Sequence, residues 1–594
     1  MSPQDAPRTR RAGALRGFVA AGLPGLLAAL YAEQFNHAFI DDPYTLWLVL
    51  LALPGLVGAA VGALVRGRED HWPLSGALTS AAVLVGLSVD DGLRQLPELE
   101  LVVVGLDGAT WDRIDPMIAA GELPHLAMLR EQGATGTMLA HEPMFSPLLW
   151  TTLATGVPPE VHGVRGFRVH ADHCRVPRFY DIAEASGRRI GVYKWLVSWP
   201  PRELIHGGFL VPGWLAPSPE TTPPSLSFVK ELELSRRLAR RRVAARRSTA
   251  ALAWEGVRQG LRWSTLRDAG LWWLRERLTH PDPDARLAAL QLLRVQIDRD
   301  VFVAQLQRER PAVATFTDYA TDALGHRFWR ELAPEQFPDA DPARVRRYGW
   351  VIPQAYRQGD AVIGELLALL PPGGRLLIAS DHGFQAVRDL AGVAPRTDRL
   401  EALLPAAVGQ VQVARMGTRI TLTLTGEDPE AQRVAVEAWL AGTTRGDAPL
   451  YRWEAVEGVP DTLALDLLDA SATSDELRDG RVRGEPLADW VHPFENHTGE
   501  HEAHGVFAAY GPGVTPGARV AIDALDFAPT ALAALGLAPD LAMTGAPPAG
   551  VWPAAGPAVD WSGVRTDLRY PDAELQGDVP EALLQALGYL DPAP

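Results

Sequence analysis

The sequence predicts an α/β protein with a central, mostly parallel sheet flanked by helices and preceded by membrane-spanning segments. Three observations carry this. Short β-branched runs alternate with helical stretches, as in parallel sheets whose strands are buried on both faces. Several of these runs end on Asp or His, and open parallel sheets place their ligands beyond the carboxyl ends of the strands. Upstream of the first run stand three long segments without a single charge.

Those segments are "GFVAAGLPGLLAALYA" (17–32), "TLWLVLLALPGLVGAAVGALV" (45–65) and "WPLSGALTSAAVLVGLSV" (72–89). A spanning helix needs about 20 apolar residues, with a range of roughly 17–25. The middle run meets that length, and the outer two draw on their flanks. The competing reading is a cleaved signal peptide followed by core helices, for which "LYA" at 30–32 is a poor cleavage site. Residues 1–98 are therefore expected to form an anchor of about three transmembrane helices. The flanks "RTRR" (8–11) and "RGR" (66–68) are basic, whereas the loop "EQFNHAFIDDPY" has no Lys or Arg. The positive-inside rule then places the N-terminus in the cytoplasm and the large domain outside. The expected localisation is a multi-pass membrane protein with an extracytoplasmic catalytic domain, with membrane lipids as partners.

In the soluble part, "LELVVVGLDGATWD" (99–112) reads as a buried strand ending in a Gly-Asp-Gly turn. "RLLIASDHGF" (375–384) repeats the pattern with Asp and His at the strand end, and "GRRIGVYKWLVSWPP" (187–201) and "PAVATFTDYATD" (311–322) are further strands. Residues 217–305 read as a helical insertion, with seven arginines in 236–247. That arginine run is either a solvated helix face or a contact for anionic headgroups. Within a small α+β insertion at 390–490, residues 408–458 suggest a βαβ-like unit with a helix around 429–441.

Composition excludes some functions. A formal charge of −16 over 594 residues argues against a nucleic-acid partner, since phosphate contacts need a basic face. The single cysteine, Cys174, excludes an internal disulfide framework and a multi-cysteine zinc cluster. His173 beside it reads as an ordinary loop residue.

Chemistry-bearing residues gather at the strand ends and turns: Asp107 in "GLDG", Asp322 and His326 in "TDALGH", Asp381 and His382 in "SDHGF", and His501 in "TGEHEAHG". The set exceeds what one catalytic metal takes and suits two divalent ions, with Ser146 bridging or capping one of them. Ser146 opens "SPLLWTTLATG". Taken alone it reads as a helix N-cap followed by proline at the first helical position. A reactive hydroxyl at that place is the other reading.

These motifs, in this order with "SPLLWTTLATGVPPEVHGV", "YDIAEASGRRIGVYKWLVSWPP", "DALDFAPTALAALGL" and "LLQALGYL", resemble the alkaline phosphatase superfamily over residues 99–594. The type I phosphodiesterase/nucleotide pyrophosphatase branch is the nearest in pattern. The resemblance implies an alkaline-phosphatase-like fold. It also implies metal-dependent hydrolysis of phosphoric esters, of diesters or pyrophosphates rather than monoesters, through a phosphoseryl-type intermediate on Ser146. It assigns Asp107, Ser146, Asp381 and His382 to one metal, and Asp322, His326 and His501 to the other. His501 is preferred over His504 and His497, and His162 is assigned a structural role. Carboxylate and imidazole ligands suit two zinc ions, with manganese compatible. The substrate implied is a small-molecule or lipid-linked phosphoester. Two departures stand out: no asparagine follows the "HG" turn, where Arg165 is the candidate anion contact, and serine replaces threonine as nucleophile. The sulfatase signature is absent around Ser146. Two rival functions share the chain: a membrane-anchored transferase of phospho-groups to lipid or glycan, and a catalytically silent binding domain.

Overall fold

The computed structural model describes residues 98–571, apart from 168, 235–246, 338–339, 388–392, 397–399, 401–403, 406–408, 410, 417–418, 427, 457–460, 469–479 and 494–497. The apolar runs at 17–32, 45–65 and 72–89, most of the arginine run at 236–247, His497 and "LLQALGYL" lie outside the described residues. Among the described residues no helix is long and apolar enough to cross a membrane. The chain divides into two units. One is residues 96–261 with 271–594; the other is residues 1–95 with 262–270, of which 262–270 are described and include the first half of one helix.

The larger unit is built on an eight-stranded sheet. Its strands are β1 (Leu101–Leu106), β2 (Ala134–Leu139), β3 (Ile190–Tyr193), β4 (Gly208–Val211), β5 (Val313–Asp318) and β6 (Arg375–Ala379), followed later in the chain by β13 (His504–Tyr510) and β14 (Arg519–Asp523). Their order is β14-β2-β13-β6-β1-β5-β3-β4. Only β13 runs against its neighbours. In β1 all six residues are buried, and they alternate between two cores. Val102, Val104 and Leu106 enter one, while Leu101 and Val103 enter the other. This is why an uninterrupted apolar run forms a strand here: both faces of the sheet are covered.

Helices that cover it include α1 (Ser146–Thr155), α2 (Ser227–Glu233), α3 (Thr249–Arg258), α5 (Pro283–Glu309), α6 (Ala320–Leu332), α7 (Val351–Leu369) and α9 (Phe527–Ala534); α4 (Trp263–Thr279), between α3 and α5 in the chain, buries only Thr265. Phe302 and Leu306 of α5, Leu324 and Phe328 of α6, and Ile352 and Ile363 of α7 fill the first core. Trp150 and Leu153 of α1, with Phe527 and Leu532 of α9, fill the second.

The βαβ-like reading of 408–458 is met in split form, with a further strand between the two parallel ones. Strands β8 (Val411–Met416) and β9 (Arg419–Leu424) form a hairpin, and with β10 (Tyr451–Ala455) and β11 (Thr462–Leu467) they make an antiparallel sheet in the order β10-β11-β9-β8. β9 and β10 both run against β11, so they are parallel to each other, and the chain passes from one to the other through a helix at 429–441, while β8 adds to β9 through a two-residue turn. Helix α8 (Pro429–Ala441) covers this sheet, with Val436, Trp439 and Leu440 in a core separate from the other two.

Candidate active site

The carboxyl ends of β1, β5 and β6 meet, and their turns are tied together. Asp107 follows β1 directly, and its N–H donates to the Asp318 carbonyl at 2.9 Å. Ser380, after β6, accepts from the Ala109 N–H at 2.8 Å and donates to the His382 carbonyl at 2.6 Å, joining the Gly-Asp-Gly turn to the "SDHG" turn. Gly108 has φ +67°, and a Cβ there would lie 2.9 Å from the Phe384 ring and 3.1 Å from Asp322 Cα. Glycine is required on both counts.

Ser146 stands at the start of α1, and here the capping expectation is corrected. The N-cap is Phe145, with extended φ −94° and ψ 123°; Ser146 is the first helical residue and Pro147 the second. The Ser146 hydroxyl makes no hydrogen bond among the described residues and lies buried at the electropositive end of the helix. Its neighbours bracket it. The Met144 carbonyl accepts from His501 Nδ1 at 2.9 Å, and Trp150 Nε1 donates to Asp107 Oδ2 at 3.0 Å. One helix start is thereby held to both halves of the acidic and histidine constellation.

The first half combines Asp107, Asp381 and His382, all fully buried. His382 Nε2 lies 3.3 Å from Asp107 Oδ1 and 3.6 Å from Asp381 Oδ2. The second half combines Asp322 and His326, one turn apart on α6, with His501. His501 lies on a strand, β12 (Gly499–Glu502), paired with β7 (Gly383–Ala386), and not in a turn as its motif suggested. His326 Nε2 and His501 Nε2 approach the same Asp322 oxygen at 3.1 and 3.0 Å and each other at 3.1 Å. The His382 and His501 rings stack at 3.5 Å, joining the two halves.

The donor chemistry fits divalent cations. All three imidazoles place Nδ1 on a main-chain carbonyl: His326 on Gly499, His382 on Gly383, His501 on Met144. A carbonyl only accepts, so Nδ1 carries a proton in all three, and a ring that is neutral, as a metal ligand must be, turns a lone pair at Nε2 into the cluster. Two such lone pairs 3.1 Å apart beside a carboxylate oxygen repel one another unless a cation lies among them. Asp107 Oδ1 and both Asp381 carboxylate oxygens are buried without hydrogen-bond partners. Buried unpaired carboxylates are costly and are compensated by coordination.

The side chains alone show the same imbalance. Burial, and then Asp107, pushes the Asp381 carboxyl well above the usual range. Burial and then Asp322 raise Asp107. Burial would also raise Asp322, but His326 and His501 hold it well below the carboxylate range. Burial opposes a charged His382, yet Asp381 and Asp107 raise it to about 10. Burial, then His382, lowers His501 to about 3, leaving it neutral as a ligand must be.

The remaining candidates fall elsewhere. His504 is exposed and paired with Glu502 at 2.9 Å. His162 is buried on a short helix after α1; its Nδ1 accepts from the Val164 N–H, and its Nε2 lies 3.1 Å from Thr152 of α1. Arg165 makes no hydrogen bond or ion pair among the described residues. His173 and His170 cap one turn reciprocally through their side chains, and the Cys174 thiol donates to the Val176 carbonyl. Sequence reasoning missed Trp150 and the Met144 carbonyl. It also missed a cavity of about 40 Å3 beside Asp322, walled by Lys194, Glu233, Asp298 and Tyr319. The signal for Trp150 was present, since it stands four residues, one helical turn, after Ser146.

The chain matches the type I phosphodiesterase/nucleotide pyrophosphatase family over residues 101–463. No curated protein matches it. Among solved structures it is similar to murine ectonucleotide pyrophosphatase/phosphodiesterase 5. For an inactive form of that protein in complex with AMP, identity is 14%, the match covers 74% of this chain and 96% of the other, and the TM-score is 0.40. For a second structure of the same murine protein the values are 14%, 74%, 95% and 0.39.

Proposed function

The chain belongs to the type I phosphodiesterase/nucleotide pyrophosphatase family and is a phosphoric ester hydrolase, and on that premise we propose that it cleaves phosphodiester or pyrophosphate bonds through Ser146 at a site for two divalent ions. The facing Nε2 atoms of His326 and His501, 3.1 Å apart over one Asp322 oxygen, are the observation that carries this reading. Asp322, His326 and His501 would hold one ion, and Asp107, Asp381, His382 and Ser146 the other. When bound, such ions supply Lewis acidity that lowers the pKa of a nearby hydroxyl and neutralises charge on phosphoryl oxygens.

The chain's own groups do the rest. The first turn of α1 presents Ser146 Oγ at a helix N-terminus, which favours the alkoxide over the alcohol. Oγ attacks phosphorus in line, forming the Oγ–P bond as the bond to the leaving oxygen breaks. Water then adds to phosphorus, the Oγ–P bond breaks, and Ser146 regains its proton. Trp150 holds Asp107, and the Met144 carbonyl holds His501, so both sides of the serine keep their orientation through both steps. Zinc suits this donor set, and manganese is the alternative. The three charge-free runs before residue 90 support a multi-pass anchor with the catalytic domain outside the cytoplasm.

A panel of phosphomonoester, phosphodiester and pyrophosphate substrates, assayed after chelation and re-addition of Zn2+, Mn2+ or Mg2+, tests the proposal. Diester or pyrophosphate turnover restored by zinc or manganese is expected. Turnover indifferent to chelation defeats the metal assignment, and product formed only when a lipid or glycan acceptor is supplied favours transfer over hydrolysis.

A further inference from the structure

We propose that the outward face of α3 and of the second half of α4 docks on the anionic surface of a lipid bilayer. This rests on reading the N-terminal residues as a membrane anchor. Helix α3 turns Leu252 and Gly256 inward, and a Cβ on Gly256 would stand 2.4 Å from Leu261. Its opposite face is apolar too: Trp254 is 67% exposed, and Val257, three residues on, is also exposed. In α4 none of residues 271–279 is buried. Leu271, Leu274 and Leu278 form one exposed stripe at helical spacing, Leu278 reaching 70%, and Trp273 beside it lies under the Arg277 guanidinium at 4.4 Å. Large apolar side chains gathered on the outside of a domain mark a contact surface. Arg275 and Arg277 stand among these exposed apolar side chains on α4.

Place and charge identify what covers it. The end of α5 holds two things at once. Arg308 donates to the Arg258 carbonyl and to Gln259 Oε1 at the end of α3, while Arg310 pairs with Glu98 at 2.9 Å. The end of α3 and the point where the chain enters the domain are therefore both held by the end of α5. The last charge-free run stops at residue 89, nine residues before Glu98. A segment of that length reaches at most about 30 Å, so an anchor ending at 89 would limit how far this end of the domain can stand from the membrane. Among the described residues 247–279 arginines outnumber carboxylates six to three, in a chain whose formal charge is −16. Arginine and tryptophan together suit the level of anionic headgroups.

The test uses the full chain with the buried Cys174 replaced (Cys174→Ala) and one reporter cysteine carrying an environment-sensitive fluorophore, at Trp254→Cys, Leu278→Cys or, as control, the exposed Val434→Cys on α8. The protein is reconstituted into vesicles with and without phosphatidylglycerol. The expected result is a blue shift and quenching by spin-labelled lipid at 254 and 278, stronger with the anionic lipid, with neither at 434. Reporters at 254 and 278 that behave like the one at 434 overturn the docking face. So does equal shielding in detergent, which would mean that another part of this chain covers it, or shielding that grows with protein concentration, which would mean a second copy. A chain that fails to float with vesicles overturns the anchor and the docking face together, and flotation with an unshifted reporter overturns the docking face alone.

Discussion

Because Phe145 caps α1, the Ser146 hydroxyl is not needed to satisfy the helix, and removing it should cost less than the ~1 kcal/mol of a true cap. Ser146→Ala is therefore expected to melt within a few degrees of the wild type, to retain bound metal, and to lose several orders of magnitude in turnover. Ser146→Thr keeps a hydroxyl at the same place and should retain measurable hydrolysis. Acid-quenched enzyme should carry phosphate, or a phosphodiester adduct, on the peptide containing Ser146. Full activity in the alanine variant, or label on Thr151, Thr152 or Thr155, removes the assignment. The two histidines of "GEHEAHG" make an equally sharp pair. His501 is buried between Met144 and Asp322, whereas His504 is exposed on a surface pair whose energetic contribution is about 0–1 kcal/mol. His501→Ala should lower metal content and activity together, and His504→Ala should leave both near wild type. Metal analysis of the two purified variants decides it, and equal losses in both would exclude His501 as the distinguishing ligand.

At the level of elements, the strands and their acidic ends were legible because burial on both faces forces a continuous apolar run, and β1 and β6 show it plainly. Helix α8 was legible too, starting after Asp428 with Pro429 and spanning the expected 429–441. What was not legible depends on partners remote in sequence. The capping role passed from Ser146 to Phe145 because the backbone at 145 is extended and 146 is already helical, a one-residue difference that residue preferences do not resolve. His501 was read in a turn and lies on a strand, because its pairing with β7 joins segments more than a hundred residues apart. The helical insertion hides another long-range device: Lys194 after β3 pairs with Asp298 of α5 at 2.7 Å and with Glu233 of α2 at 3.2 Å, and Lys230 reaches Glu233 at 3.0 Å. Burial alone would raise the Glu233 carboxyl, but Lys194 and Lys230 hold it well below the usual range. A carboxyl depressed in the folded state stabilises above its unfolded pKa, near 4.5 for Glu, and that contribution fades as pH falls below it. Glu233→Gln should cost about 3–5 kcal/mol at pH 7, where it leaves buried Lys230 without a carboxylate and Lys194 with Asp298 alone, and less at pH 3. Denaturant unfolding of both proteins at the two pH values measures the gap, and a gap that does not shrink refutes the linkage.

For the whole molecule, if the proposed anchor holds, the side of the membrane on which the chemistry would occur follows from the parity of spans. Three spans with basic flanks at 8–11 and 66–68 would place the N-terminus inside and the catalytic domain outside; two spans would return the domain to the cytoplasm. The domain itself is compatible with either side. Its single cysteine is buried, so no disulfide ties it to an oxidising compartment, and the groups proposed to hold metal include histidine and aspartate rather than thiolate. The substrate class turns on this parity, because an outward-facing site meets extracytoplasmic or lipid-linked esters and an inward-facing one meets the nucleotide pool. A C-terminal fusion to a reporter that is active only outside the cytoplasm should be active, and a reporter that fluoresces only in the cytoplasm should be dark. Reversing the charge of Arg66 and Arg68, which flank the second loop, should weaken that preference without touching the catalytic domain, so that part of the population inverts. If instead the cytoplasmic reporter is bright in the unmodified chain, the third run at 72–89 does not span, and the site faces the cytoplasm.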